Sequence, residues 1–309
     1  MIIDLVDTTT HSIEDALTAA RHRMGGPAVG KVLTLVIVTT EADQYDALRA
    51  SAEASREHPS RIIAVIPRGS DEATRMDAEI HVAEAGPGEI VLLRLYGLLV
   101  RHAESVVLPL LVPDAPAVTW WPRFAPERPG DEPLGRLAQR RVTDAAGNAD
   151  PLGALDRLGK AYLPGDTDLS WTRLTQWRSL LAVELDRPHG EVTGAAIAAE
   201  PRNPSAVLLG AWLASRLGVS CELSFSRGPG ITIVRLPTAF GPIVVTRPDG
   251  RVATLSRPGE PDRQVALYRR REAELIAEEL RRLEPDDVYR EALQGWPQNV
   301  VVRGPLSMI

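Results

Sequence analysis

The sequence predicts an α/β protein in two parts: a mostly parallel sheet flanked by helices, then an α+β domain built on an antiparallel meander. Three observations predict it. Two apolar, β-branched runs near the start are separated by a helix-length segment, the order of a βαβ unit. Seven prolines fall between residues 109 and 133 and break the regular pattern there. Past residue 187 the chain changes to short alternating segments punctuated by Gly and Pro.

Taken in order, "IIDLV" reads as an opening strand. In "SIEDALTAARHRMGG", Ile13, Ala16, Leu17 and Ala20 recur at helical spacing, which makes an amphipathic helix. Ser12 is its N-cap, with Asp15 three residues on, and Gly25-Gly26-Pro27 is its stop. The run "VLTLVIVT" (32–39) has no polar alternation, as expected of a strand buried on both faces. A helix over about 41–56 and the strand "RIIAVIP" (61–67) complete the first βαβ unit. "DAEIHVAE" and "EIVLLRLYG", separated by Gly86-Pro87-Gly88, read as a hairpin. A helix near 101–111 and strands at 117–121 and 140–144 finish a Rossmann-like sheet. Between Trp121 and Leu134 the prolines require a loop. Helices at 151–162 and 170–185 close a first domain over residues 1–186.

The second domain covers 187–309. "EVTGAAIAAE" reads as a strand, and "NPSAVLLGAWLASRLG" as a helix with Asn203 as N-cap and Pro204 at its first position. Alternating segments at 219–226, 230–236, 242–247 and 250–256 form the meander, with Pro248-Asp249-Gly250 as a hairpin turn. A charged helix is expected over 262–283, laying Ile276, Leu280 and Leu283 on one face and pairing Glu278 with Arg282.

Composition bounds the function. Hydrophobic residues make up 44% of 309 residues and the net charge is −6, which argues against broad electrostatic binding of nucleic acid or anionic lipid. The start "MIIDLVDTTTHS" lacks the basic and apolar regions of a signal peptide, and no apolar run approaches the roughly 20 residues of a membrane span. One cysteine, Cys221, cannot form an internal disulfide, so a reducing, cytoplasmic setting is expected.

Catalytic motifs are thin. "GGPAVGK" (25–31) fits the first seven positions of a phosphate-binding loop, but a helix enters and a strand leaves, and Val32 stands where a hydroxyl should hold magnesium. The six histidines are scattered, so no metal site, catalytic set or cofactor is expected. Cys221, the one candidate redox thiol, opens a strand, where a buried inert thiol is favoured. Arg56, His58 and Arg61 in "SREHPSR" form a candidate anion site, although basic residues after a helix also suit its dipole. In "DLSWTRLTQWRSLLAVELD" a helical wheel puts Trp171 and Arg178 on one face and Arg173 and Trp177 on the other, the latter spaced for a cation–π contact. Tryptophan on both faces calls for cover on both sides, either core or a partner. Trp120 and Trp121, adjacent at a strand end, point to opposite faces and raise the same question. The candidate partner contacts are therefore Trp120, Trp121, Trp171, Arg173, Trp177 and Arg178.

"DAPAVTWWP", "SVVLPLLVPDAP", "EASREHPSR", "PLGRLAQRRVTD" and "PGDTDLSWTRLTQWRSLLA", in this order, closely resemble the OpcA family, the glucose-6-phosphate dehydrogenase assembly proteins of actinobacteria and cyanobacteria. "DLVDTT" and "PAVGKVLTLVIVT" resemble the start of the same family, and the likeness continues more loosely to about residue 295. The family pattern carries proline where this chain has Gln176. The resemblance implies a non-catalytic protein whose partner is glucose-6-phosphate dehydrogenase and which favours that enzyme's active oligomer. It also implies redox control in cyanobacterial relatives, which a chain with Cys221 alone cannot reproduce by an internal dithiol. The alternative is an enzyme or sensor that binds a sugar phosphate or nucleotide at the carboxyl ends of the parallel strands, where Thr39, Thr40, Pro67 and Arg68 lie.

Overall fold

The computed structural model describes residues 1–24, 30–82 and 89–303. Contacts divide the chain into two compact units. The first contains Met1–Asp144, Leu163–Thr167 and Arg271–Pro285; the second contains Ala145–Tyr162, Asp168–Arg270 and the chain from Asp286 onward. The units interleave along the chain rather than meeting at residue 186, because the 170–185 segment packs into the second core.

The first sheet has eight strands: β1 (Ile2–Leu5), β2 (Leu33–Val38), β3 (Ser60–Pro67), β4 (Arg75–Val82), β5 (Glu89–Tyr96), β6 (Ala117–Trp120), β7 (Arg140–Thr143) and β8 (Asp166–Asp168). Their order is β1-β4-β5-β3-β2-β6-β7-β8. The pairs β5–β3, β3–β2, β2–β6 and β6–β7 are parallel, and β1–β4 and β4–β5 are antiparallel. This is the mostly parallel sheet expected. β2 and β3 are buried on both faces, as their unbroken apolar runs require. Val82 pairs with Glu89, so β4 and β5 form the expected hairpin. Its tip, Gly86-Pro87-Gly88, lies outside the described residues, as do Gly25-Gly26-Pro27 and most of "GGPAVGK". The helix Thr10–Met24 buries Ile13, Leu17 and Ala20, the stripe read from their spacing.

The helix expected near 101–111 is three short pieces: a 3₁₀ turn at Gly97–Val100, a helix at Ala103–Val107 and a second 3₁₀ turn at Leu108–Leu110. Pro109 lacks the N–H that would continue the ladder. Arg140 on β7 is buried and donates to Glu279 Oε2 from Nε at 2.7 Å and to the Glu284 carbonyl from Nη1 at 3.0 Å, which fixes the helix Glu272–Arg281 to this unit.

The second sheet holds β9 (Ala195–Ala199), β10 (Cys221–Phe225), β11 (Ile231–Leu236), β12 (Ile243–Thr246), β13 (Val252–Ser256), β14 (Arg263–Ala266) and β15 (Val300–Val302), in the order β14-β13-β12-β11-β9-β10-β15. Three of the four expected meander segments, β11, β12 and β13, are antiparallel neighbours, continued by β14; the fourth, 219–226, is instead β10, which is parallel to β9 and β15. At the 248–250 turn, Asp249 accepts from the amides of Arg251 and Val252, and Gly250 takes φ +72. The helix Pro204–Leu217 is capped by Asn203, whose Oδ1 accepts from the Ala206 amide, and it ends at Gly218 in the left-handed region. A Cβ at Gly210 would meet Cys221 Sγ at 3.0 Å and Val300 Cγ2 at 3.1 Å, so this glycine lets the helix approach β10 and β15 closely.

Other elements also differ from the sequence reading. The helix expected over 262–283 is β14 followed by a helix at Glu272–Arg281. β14 is an exposed edge strand held by its ladder to β13, so it carries no apolar alternation to read. The helix at 170–185 is split into Leu169–Thr172 and Thr175–Leu185. A capped helix, Asp287–Asn299, and β15 follow Asp286 unannounced, although Tyr289, Ala292 and Leu293 hold a helical stripe.

Candidate functional site

The tryptophan–arginine segment begins at Asp168. Its carboxylate accepts from the Ser170 amide at 2.9 Å and the Ala145 amide at 2.8 Å, starting the short helix Leu169–Thr172. The Leu174 amide then bonds the Trp171 carbonyl, a tight i→i−3 turn that resets the helix before Thr175. The unbroken wheel drawn from the sequence therefore does not hold across Arg173 and Leu174. The stackings in the structure are Arg178 over Trp171, 3.8 Å from the ring centroid, and Arg247 over Trp177 at 4.9 Å.

Trp171 and Trp177 belong to the second unit's core, each 2% exposed. Trp171 donates its indole N–H to Asp286 at 2.8 Å and lies 5.8 Å from the Tyr289 ring. Trp120 and Trp121 are also buried, and the Trp121 amide extends the β6–β7 ladder by donating to the Val142 carbonyl. As direct partner contacts these four tryptophans are corrected: their rings are covered by the chain itself. Arg173 and Arg178 are half-buried and keep part of their surface in solvent.

The other sequence candidates separate in the same way. Arg61 is buried on β3 and donates to Glu14 (3.0 Å), Glu89 (3.3 Å) and the Leu110 carbonyl (2.6 Å). Its charge serves an internal network, while Arg56 is exposed and His58 half-buried, which corrects the anion-site expectation for this trio. Lys31, the lysine of the loop-like motif, pairs with the same Glu89 at 2.5 Å. Burial lowers its pKa, with Glu89 opposing the shift. Cys221 is fully buried, and burial pushes its thiol up to about 12, so it has neither the exposure nor the lowered pKa of a reactive thiol. Among the described residues no group of three His, Cys, Asp or Glu side chains can hold a metal ion, and no helix is long and apolar enough to cross a membrane.

At the carboxyl ends of β2 and β3, Val38, Thr39, Thr40, Asp43, Pro67 and Phe124 line a pocket of about 200 Å³. Asp43 pairs with Arg123 at 2.9 Å and accepts from the Thr40 hydroxyl at 2.7 Å. Glu41 beside it pairs with Arg94 and Arg68, both at 3.1 Å. Hydrogen bonds from Arg94 hold the Glu41 carboxyl below its ordinary value. A second pocket, in the second unit, gathers Arg173, Arg247, Arg269 and Arg270. Sequence reading missed it; the signal was the run "YRRRE" (268–272), absorbed into an expected helix face.

Comparisons with known proteins bear on both units. Residues 51–160 match the family model described as the glucose-6-phosphate dehydrogenase subunit N-terminal domain, and residues 164–293 match the corresponding C-terminal domain. No curated protein matches. Among solved structures, an oxidoreductase from Sinorhizobium meliloti is similar at 11% identity and TM-score 0.52, covering 87% of this chain and 95% of that one. KijD10, a 3-ketoreductase from Actinomadura kijaniata solved with NADP and TDP-benzene, is similar at 12% identity and TM-score 0.50, covering 87% and 98%. At such identities the likeness is one of fold. The two family matches are the stronger finding, and by them the chain belongs to the OpcA family of glucose-6-phosphate dehydrogenase assembly proteins.

Proposed function

We propose that this chain is a non-catalytic assembly and activator protein that binds glucose-6-phosphate dehydrogenase and favours its active oligomeric form. The observation that carries the reading is the pair of family matches, named for subunit domains of that dehydrogenase and together running from residue 51 to residue 293. An activator must bind the active form more tightly than the inactive one, so its effect equals that difference in affinity. Arg173 and Arg178 supply the exposed part of the proposed contact, and the buried tryptophans set the backbone that carries them.

The residues at the strand ends support a non-catalytic reading. Dinucleotide sites on such sheets use a glycine-rich turn so that the backbone can approach a pyrophosphate. Here the turn after β2 reads Thr39-Thr40-Glu41-Ala42-Asp43, without glycine and with two carboxylates where phosphate charge would lie. NADP, bound by the ketoreductase of similar fold, does not fit that turn.

The test is kinetic. Purified dehydrogenase is assayed with increasing amounts of this chain, and its half-saturating glucose 6-phosphate falls to a plateau at a fixed stoichiometry. An unchanged saturation curve at micromolar excess contradicts the proposal.

A further inference from the structure

The four-arginine pocket has features that dehydrogenase binding does not explain. Its floor is Arg247, buried at 5% exposure and standing on the face of Trp177. Nη1 donates to the Leu267 carbonyl at 3.1 Å and Nη2 to the Ile231 carbonyl at 3.0 Å. Its Nε is buried with no hydrogen-bond partner among the described residues. Among the described residues no carboxylate forms an ion pair with it. Glu200 and Asp249 act on it through space; Glu200 accepts from Asn203 at 3.0 Å, and Asp249 is committed to its turn amides. A buried cation without a counter-ion is costly, and burial together with the charge of Arg269 lowers Arg247 to about 10.

The pocket wall is the start of the 14-residue helix Pro204–Leu217. Its first turn carries the positive end of the helix dipole. Asn203 satisfies the Ala206 amide, Pro204 has no N–H, and the buried Ser205 lines the pocket. Gly230, at φ +69, keeps the opposite wall thin: a Cβ there would sit 3.3 Å from Arg247 Nη2. Arg269 is exposed at the mouth, and its backbone amide is tied to the Gly250 carbonyl at 3.0 Å. Arg173 and Arg270 add positive charge at the rim, and the exposed Tyr268 offers ring surface. A buried guanidinium, an exposed guanidinium at the mouth and a helix N-terminus converge on one concavity, an arrangement suited to binding phosphate.

We infer that this pocket binds the phosphate group of a small phosphomonoester, with Arg247, Arg269 and the start of the Pro204–Leu217 helix holding the dianion. The site lies within the second unit and shares Arg173, at its rim, with the proposed dehydrogenase contact. It would let the protein respond to a phosphorylated metabolite.

The test uses the full chain alone, by thermal shift at constant ionic strength, with inorganic phosphate, glucose 6-phosphate, glucose and chloride as probes. Phosphate and glucose 6-phosphate raise Tm with a dose dependence that follows mass action, while glucose and chloride do not. A larger rise with glucose 6-phosphate than with phosphate places the sugar against Tyr268; equal rises mean the phosphate group alone is read, and either supports the inference. Arg269→Gln, at an exposed position, weakens the apparent affinity by roughly tenfold. Arg49→Gln, an equal charge change in the first unit, leaves it unaltered. The inference fails if phosphate matches chloride, or if the two variants behave alike. Phosphate without effect, with dehydrogenase binding lost in Arg269→Gln, would instead assign the cluster to an acidic protein segment and overturn it.

Discussion

Arg178 lays its guanidinium 3.8 Å over the ring of Trp171, and the same indole donates to Asp286 at 2.8 Å. One face of the tryptophan thus belongs to the core and the other is roofed by a half-exposed arginine. Structure and recognition separate along this pair. Trp171→Ala is expected to lose about 3–5 kcal/mol of stability, the range for removing a large buried aromatic. Arg178→Ala loses only about 0.5–1 kcal/mol of stability but weakens dehydrogenase binding by about 2 kcal/mol or more. Chemical denaturation and a binding titration on the two variants measure the separation; equal binding by Arg178→Ala and wild type removes Arg178 from the contact.

Glu184 is buried within the second unit and pairs with Arg257 at 3.0 Å, Arg263 at 2.5 Å and Arg187 at 3.1 Å. Burial alone would raise its pKa, but hydrogen bonds from Arg257 and Arg263 outweigh it and hold the carboxyl below its ordinary value. Glu184→Gln leaves the buried Arg257 short of a counter-charge and is expected to cost about 3 kcal/mol or more. Because the folded pKa is depressed, the contribution is fully present above the unfolded carboxyl value, near ~4.3, and is lost as pH falls through the folded one. Melts from pH 7 to pH 3 should show the wild type losing more stability than the variant; parallel curves contradict this.

Glu132 behaves in the opposite sense. Its Oε2 accepts from the amides of Leu134 at 2.7 Å and Gly135 at 3.0 Å, while burial raises its pKa. A raised folded pKa gives stability present below the unfolded carboxyl value and lost as pH rises through the folded one. Glutamine keeps an acceptor oxygen without the charge. Glu132→Gln should therefore have a Tm at pH 7 equal to or above wild type, with the difference shrinking or reversing at pH 4. A lower Tm at pH 7 would show that the charge is needed to cap the turn.

Cys221 provides a test of burial. With the thiol inside the core and pushed up to about 12, an alkylating reagent at pH 8 should leave the native protein unmodified and label it fully in denaturant. Fast native labelling would mean that β10 opens.

Much of this architecture is legible in the sequence where burial is two-sided or capping is local. The runs at β2 and β3, the stripe Ile13-Leu17-Ala20, the Asn203–Pro204 start and the Asp249–Gly250 turn all appear in the structure as read. The failures are tertiary. β14 is a strand only because β13 offers it a ladder, and the break at Arg173–Leu174 comes from a turn bond with no proline or glycine to announce it. The tryptophans look like contact residues because tryptophan suits both cores and interfaces, and composition does not separate the two. The arginine pocket assembles from positions 173, 247 and 269–270, a spacing that no local pattern reveals.

The central claim, that this chain grips glucose-6-phosphate dehydrogenase, is tested most directly by light scattering of the two purified proteins from the same organism, separately and mixed at equimolar micromolar concentration. A new species heavier than either component, together with growth of the dehydrogenase oligomer, is the predicted result. Two unchanged masses in the mixture would contradict it.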